Sequence, residues 1–275
     1  MVDDITLCQG AWPSRYSDRT AGVVAAQSRD GDRDEMHWRL SASMSNASVL
    51  AEGPIGDKKR GSWIVAFRKS YLQYILNRID FGDQAPLSFG FTDGEAHATY
   101  DVTSHHTASF TYIDGSSSVD RSAFQDTLGA NTVMTSGFRY TLLTAADRYT
   151  PVNHVLITNR IAWTRERGDV ENRDNALLSR DGYGEWTWHG DASIQWGGNQ
   201  TLELGGQFRR MRDDGTGARF VYTPALTESD DRFRGTAVES GGYARQSFSF
   251  LSGKITAAAG LRQDAHSASN VQTTS

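Results

Sequence analysis

The chain has one cysteine, Cys8, so neither an intrachain disulfide nor a paired-cysteine metal site can form. Proline is scarce, with five in 275 residues, and no apolar run approaches the roughly eighteen residues of a transmembrane helix. A helical membrane protein is thereby excluded. There is no charge excess of one sign large enough to mark a nucleic-acid surface, the formal net charge being -5 and mixed along the chain. The chain also lacks Gly-x-Ser-x-Gly, His-Glu-x-x-His and Gly-x-x-x-x-Gly-Lys-Ser/Thr, and Asp213 and Asp214 are adjacent loop residues, so no catalytic residues are assigned and no enzyme is expected. No cofactor is implied.

What the sequence has instead is glycine, 27 residues of it, 11% aromatics and a mean hydropathy of -0.52, a mixture that favours strands and turns. Period-two alternation recurs in stretches of about ten residues, the length of a tilted strand across a bilayer. In the clearest, Trp186, Trp188, Ala192, Ile194 and Trp196 alternate with Tyr183, Glu185, Thr187, His189, Asp191, Ser193 and Gln195. Tryptophans near both ends of the apolar face, with small or aliphatic residues between, match two interfacial girdles around a lipid-facing band. Leu202, Leu204, Gly206 and Phe208 repeat the pattern against Thr201, Glu203, Gln207 and Arg209.

Further alternating sets are Trp38, Leu40, Ala42 and Met44; Trp63, Val65 and Phe67; Ala96, Ala98, Tyr100 and Val102; and Ala108, Phe110 and Tyr112. Met134, Phe138, Tyr140 and Leu142 form another, as do Val155, Ile157, Ile161 and Trp163, with strands also expected from Tyr243 and from Ile255. Short turns are expected at "GDKKRG" after Ile55, "SHH" after Thr103, "ADRYTP" after Ala145, "GGN" after Trp196 and "SGK" after Leu251. Long loops are expected between them, at about 75–90, 116–131, 166–182 and 212–238. Short turns alternating with long loops are how outer-membrane barrels are connected.

The first thirty residues stand outside this pattern and contain "GAWPSRYSDRTAGVVAAQSRDGD" from Gly10 to Asp32. This resembles the end of the plug of TonB-dependent outer-membrane receptors, an aromatic-Pro-small-Arg-Tyr element followed by a Gly-Val-Val strand. Ser17 and Asp18 depart from the glycine common there. The following "LAEGPIGDKKRGSWIVAFRKSYLQYIL", with Glu52, Gly53, Pro54, Arg68, Ser70 and Tyr71, resembles the early barrel of the same family. Later strands are similar at Tyr243, Gly260, Leu261 and Arg262.

The fold expected is therefore all-β: an antiparallel transmembrane barrel of the outer-membrane type, about eleven of twenty-two strands, after the end of a plug. Residues 1–34 are assigned to the plug and 35–275 to the N-terminal half of the barrel. The resemblance implies part of a receptor in the outer membrane of a Gram-negative bacterium, binding and importing a scarce nutrient such as a ferric siderophore, cobalamin or an oligosaccharide. Its implied partners are outer-membrane lipid, the small nutrient, and TonB through a segment outside these residues; no nucleic acid is expected. "MVDDITLCQG" has no signal-peptide pattern, so an export leader is expected to precede it. A passive porin and a soluble all-β binding module are the alternatives; the segment Gly10–Asp32 argues against the first and the tryptophan face against the second.

His105 and His106 read as turn residues rather than a chelating pair, since neighbours on a strand face opposite ways, and no metal ligand is assigned. His154 and His189 are expected on the polar side. Arg68, Arg160, Glu185, Glu203 and Arg209 are expected to line the lumen; Phe220 and Tyr222 are expected either to meet a ligand from a long loop or, equally, to extend a strand above the membrane. The residues that bind a ligand are unknown from sequence. Asn46 and Asn199 fit the glycosylation triplet by letter alone.

Overall fold

The computed structural model describes residues 2–9, 14–16, 22–56, 59–76, 78–79, 88–121, 129–221, 227–267 and 271–274. Tyr222, Ser17 and Asp18 lie outside them. Strands β1 (Val2–Gln9) and β2 (Gly22–Ser28) form a small antiparallel sheet. Everything after it is one antiparallel meander of twelve strands in chain order: β3 (His37–Ala42), β4 (Asn46–Pro54), β5 (Gly61–Ser70), β6 (Ser88–Asp101), β7 (His106–Asp120), β8 (Thr135–Val152), β9 (Val155–Glu171), β10 (Leu177–Trp196), β11 (Gln200–Phe220), β12 (Thr227–Phe250), β13 (Ile255–His266) and β14 (Val271–Thr274). A short helix, α1 (Leu72–Leu76), follows β5. The sheet is open: β3 and β14 are its two edges.

Because side chains alternate on a strand, the pairing register assigns every residue of the sheet to one of two faces. One face carries Trp38 and Leu40; Val49 and Ala51; Trp63, Val65 and Phe67; Ala96 and Ala98; and Phe110 and Tyr112. It continues through Leu143, Ile161, Trp163, Trp186, Trp188, Leu204, Phe208, Ala244 and Leu261. This apolar face is the open one: Trp38 is 72% exposed, Trp186 56% and Leu261 71%. The buried residues are mostly polar, among them Glu52, Ser62, His97, Thr99, Gln207, Glu239 and Arg262, and all seven share the opposite face. A water-soluble sheet has the reverse arrangement. An apolar band of this extent matches lipid contact, with the polar face turned inward.

Turns at residues 102–105, 197–199 and 251–254 fall where the sequence places them, as does the connection between β4 and β5, part of which lies outside the described residues. At the tightest, Gly197 and Gly198 hold φ of 60° and 72°, the region the β10–β11 hairpin needs and a Cβ resists. Three expectations are corrected. "ADRYTP" is strand, not turn: β8 runs through it, and the chain reverses at Asn153–His154. The apolar face of β8 is Leu143 and Ala145, while Phe138, Tyr140 and Leu142 sit on the inner face, because Tyr112 of β7 aligns with Leu143. The expected long loops at 166–182 and 212–238 are mostly strand. β9 and β10 are joined by residues 172–176 alone, and β11 and β12 by 221–226.

Strands β8 to β12 contain 18, 17, 20, 21 and 24 residues, about twice what a bilayer crossing takes. Their surplus lies beyond the tryptophan and phenylalanine girdle, at the end opposite the short turns. There Asp, Arg and Gly remain in the ladder because opposite charges meet across strands, as with Arg234 facing Asp214.

Candidate functional site

The inner face holds a segment of the chain against it. Residues 29–34, linking β2 to β3, run over β4, β5 and β6. Arg29 makes a two-pronged ion pair with Glu52 at 2.8 and 2.9 Å, and the Asp32 amide donates to the same carboxylate at 3.2 Å. The Asp30 carboxylate lies 3.0 Å from His97 Nε2, while His97 Nδ1 meets the Thr111 hydroxyl at 2.8 Å. Arg33 pairs with Asp101. Gly31 lies flat on the Trp63 backbone, where an added Cβ would come within 2.2 Å of the carbonyl oxygen, so only glycine lets the link descend that far. Ser62 and Ile64 beneath it have no exposed surface.

The Asp32 carboxylate also accepts from the amides of Asp34 and Glu35 at 2.6 and 3.0 Å, and these bonds hold it below the usual carboxylate range. A lowered carboxylate contributes stability above its ordinary pKa and loses it as pH falls through the lowered value, so this turn is a feature of neutral and mildly acidic pH.

A second tether reaches the far end of the sheet. Arg262 of β13 donates through Nη1 to the Ser14 carbonyl at 2.9 Å and through Nε and Nη2 to Asp264 at 2.7 Å each. Ser14 and Tyr16 belong to the Trp-Pro-Ser-Arg-Tyr element singled out in the sequence. The element therefore touches the same polar face as the link, near the opposite edge of the sheet.

Between these tethers the wall is cross-linked by charge. Arg209 bridges Glu185 at 2.8 Å and Glu239 at 2.9 Å, and Gln207 donates to Glu239 at 2.6 Å. Tyr183 and Thr187 donate to Glu185, Tyr243 donates to Asp191 at 2.5 Å, and Arg245 pairs with Glu203. Arg68 pairs with Asp93, and Arg160 and His189 face each other across β9 and β10 on the same side. All five charges picked from the sequence thus lie on the inner face. Glu52, Asp101, Glu239 and Arg262 were not singled out as lumen residues, although their parity on strands of known face was the signal that could have found them. Among the described residues no group of three His, Cys, Asp or Glu is placed to hold a metal.

At the end opposite the short turns, side-chain amides join separate connections. Asn172, 1% exposed, accepts from the amides of Asp174 and Ala176 at 2.9 Å and donates to the Ala130 carbonyl at 2.7 Å. Asn131 clasps the backbone of Phe220, donating at 2.7 Å and accepting at 2.8 Å, so Phe220 is buried and not a free loop aromatic. Replacing Asn172 by Ala leaves those backbone groups unsatisfied, at about 2–3 kcal/mol of local stability. Limited proteolysis should then cut the β7–β8 connection faster, while the strands below stay protected. Unchanged cleavage would show that Asn172 does not hold this end together.

An open antiparallel sheet, apolar outside and polar inside, with an N-terminal segment fastened to its inner face, is the architecture of an outer-membrane barrel carrying internal structure. Solved proteins share it. The fold matches a mutant ferric enterobactin receptor from Pseudomonas aeruginosa in complex with enterobactin, with a TM-score of 0.72 and 16% identity over 99% of this chain and 46% of that one. It likewise matches an outer-membrane transporter from Escherichia coli, with a TM-score of 0.70 and 10% identity over 99% and 44%. The ferric preacinetobactin receptor from Acinetobacter baumannii matches with a TM-score of 0.64 and 11% identity over 93% and 46%. At these identities the likeness is one of fold, and the chain spans less than half the length of each. No protein-family profile matches the chain, and no curated protein sequence does. The proteins of like fold are two receptors and an outer-membrane transporter.

Proposed function

We propose that the chain is part of a TonB-dependent receptor of the Gram-negative outer membrane, one that binds a scarce nutrient and imports it actively. In this reading residues 1–34 are the end of the plug and 35–275 the first half of the barrel. The observation that carries it is the fastening of the N-terminal segment to the inner wall at both ends, by Arg29–Glu52, Asp30–His97 and Arg33–Asp101 on one side and Ser14–Arg262 on the other. A passive porin has no need of such a segment. Polar and ionic tethers suit a body that must be held and later released, since water replaces each of them more readily than it replaces an apolar contact. The proteins of like fold favour a ferric siderophore as the nutrient, two of them being named as receptors for one.

The test is uptake by cells expressing the whole reading frame that contains these residues. Accumulation of a ferric siderophore, with ferric enterobactin as the probe, that stops when TonB is deleted is the expected result. Accumulation indifferent to TonB would point to the porin, and a reading frame supplying neither a TonB-contacting segment nor further strands would sink the receptor reading.

A further inference from the structure

The link that crosses β4, β5 and β6 rests on two side chains of opposite character. Ser62 and Ile64 are successive inner-face residues of β5, and neither keeps any exposed surface. Ile64 aligns with Glu52 on one side and His97 on the other, the residues that hold Arg29, the Asp32 amide and Asp30. Covering Ile64 takes apolar surface out of water and favours the docked link. Covering Ser62 does the reverse. Its hydroxyl oxygen is closed off from solvent and has no hydrogen-bond partner, the one buried side-chain nitrogen or oxygen in that condition among the described residues.

The register shows why Ser62 is stranded. It stands between Pro54 of β4 and Thr99 of β6. Proline brings an apolar ring and no amide hydrogen, and the Thr99 hydroxyl does not meet Ser62. Above them the Gly31 backbone is pressed against that of Trp63 and offers the hydroxyl nothing. Alanine at position 62 would fill the same space and strand no polar atom. A buried hydroxyl without a partner favours any state in which water reaches it, by about tenfold in the equilibrium constant. The link is therefore held at its ends, by Arg29–Glu52 and Arg33–Asp101, and penalised at its middle.

We infer that Ser62 sets a local opening of the link, in which residues 30–32 lift from β5 and return while the ion pairs of Arg29 and Arg33 hold. Lifting admits water to the Ser62 hydroxyl and frees the Asp32 amide from Glu52; docking covers Ile64 again. The opening itself is a property of the link and the wall. Its use rests on the reading of residues 1–34 as the end of a plug: the middle of the link is then the point at which separation from the wall begins, and Ser62 is a positioning residue for that step.

The test is amide hydrogen exchange, resolved to single residues, on the protein made from the whole reading frame and purified in detergent. Ser62→Ala should slow exchange of the Asp32 amide about tenfold, because the docked state no longer strands a hydroxyl. The Asp34 and Glu35 amides are bonded within the link, to the Asp32 carboxylate, and should keep their rates. Ile64→Ala removes what docking gains and should change the Asp32 rate in the other direction, several-fold faster. An Asp32 amide that exchanges at the same rate or faster in Ser62→Ala overturns the inference. Slowing spread evenly over the link and β4 to β6 overturns it as well, since the serine would then act on the wall as a whole. Indifference of the Asp32 amide to Ile64→Ala would show that the link does not lift there, with the same consequence. Neither TonB nor a nutrient enters this measurement, so uptake indifferent to TonB defeats the receptor reading and leaves the opening standing, while failure of the exchange result defeats only the opening.

Discussion

Sent to the periplasm with an export leader and no other strands, the chain will not enter the outer membrane as a stable barrel. The reason lies at the sheet's edges. β3 pairs only with β4, and β14 covers β13 only from Gln263 to His266, so Ile255 to Arg262 is a bare edge within the apolar band. In an antiparallel edge every second residue turns its amide and carbonyl outward, which makes about fourteen unpaired groups on β3 and β13 together, at several kcal/mol each in hydrocarbon. That total, in the tens of kcal/mol, exceeds the net stability of an ordinary domain. The expected observation is a chain that migrates identically with and without boiling and is degraded in the periplasm. Supplying the complementary strands, fused or as a second polypeptide, should produce the heat-sensitive mobility of a closed barrel. A heat-sensitive species from the chain alone would refute this, and cross-linking would then show whether two copies had closed each other's edges.

The alternation of β10 could be read from sequence because membrane and lumen impose opposite demands on neighbouring residues for ten positions, with three tryptophans marking the limits. Once that strand is fixed, the register carries the same division to Arg209, Glu239 and Tyr243. Beyond the girdle both faces meet water, the alternation loses its cause, and "RERGDVENRDN" looks like a loop although all but its last four residues are strand. β8 misled for a different reason. Its inner residues Phe138, Tyr140 and Leu142 are as apolar as its outer Leu143 and Ala145, because the inner wall there packs on itself: the Tyr140 ring fills the space a Cβ on Gly115 would need. Only pairing with Tyr112 decides the face, and pairing is not written in one strand. The Asn131 and Asn172 clasps were invisible for the same reason, since each joins connections far apart in sequence.

Replacing Arg209 by Met should be the most damaging single change in the wall. Its guanidinium lies between Glu185 and Glu239 at 2.8 and 2.9 Å, and the three side chains are 19%, 16% and 4% exposed. Removing it takes from Glu185 and Glu239 the cation they share, and Glu239 is too enclosed for water to replace it. Stranding a buried charge costs about 3–5 kcal/mol; the residual exposure of Glu185 reduces this to about 2–3 kcal/mol here. Met keeps the apolar stem, so the loss reports charge and not packing. Arg209→Lys should recover only part of it, because an ammonium on a flexible stem cannot serve two carboxylates as the planar fork does. Adding Glu239→Gln to Arg209→Met should recover more, since Gln can still accept from Gln207 and carries no charge. The measurement is urea unfolding of the edge-complemented barrel in lipid, followed by tryptophan fluorescence. An Arg209→Met midpoint within about 0.5 kcal/mol of the parent, the range of ordinary surface substitutions, would show the bridge to be an exposed and dispensable pairing. A large loss that Glu239→Gln does not relieve would place the cost in the guanidinium's packing and not in the stranded charge.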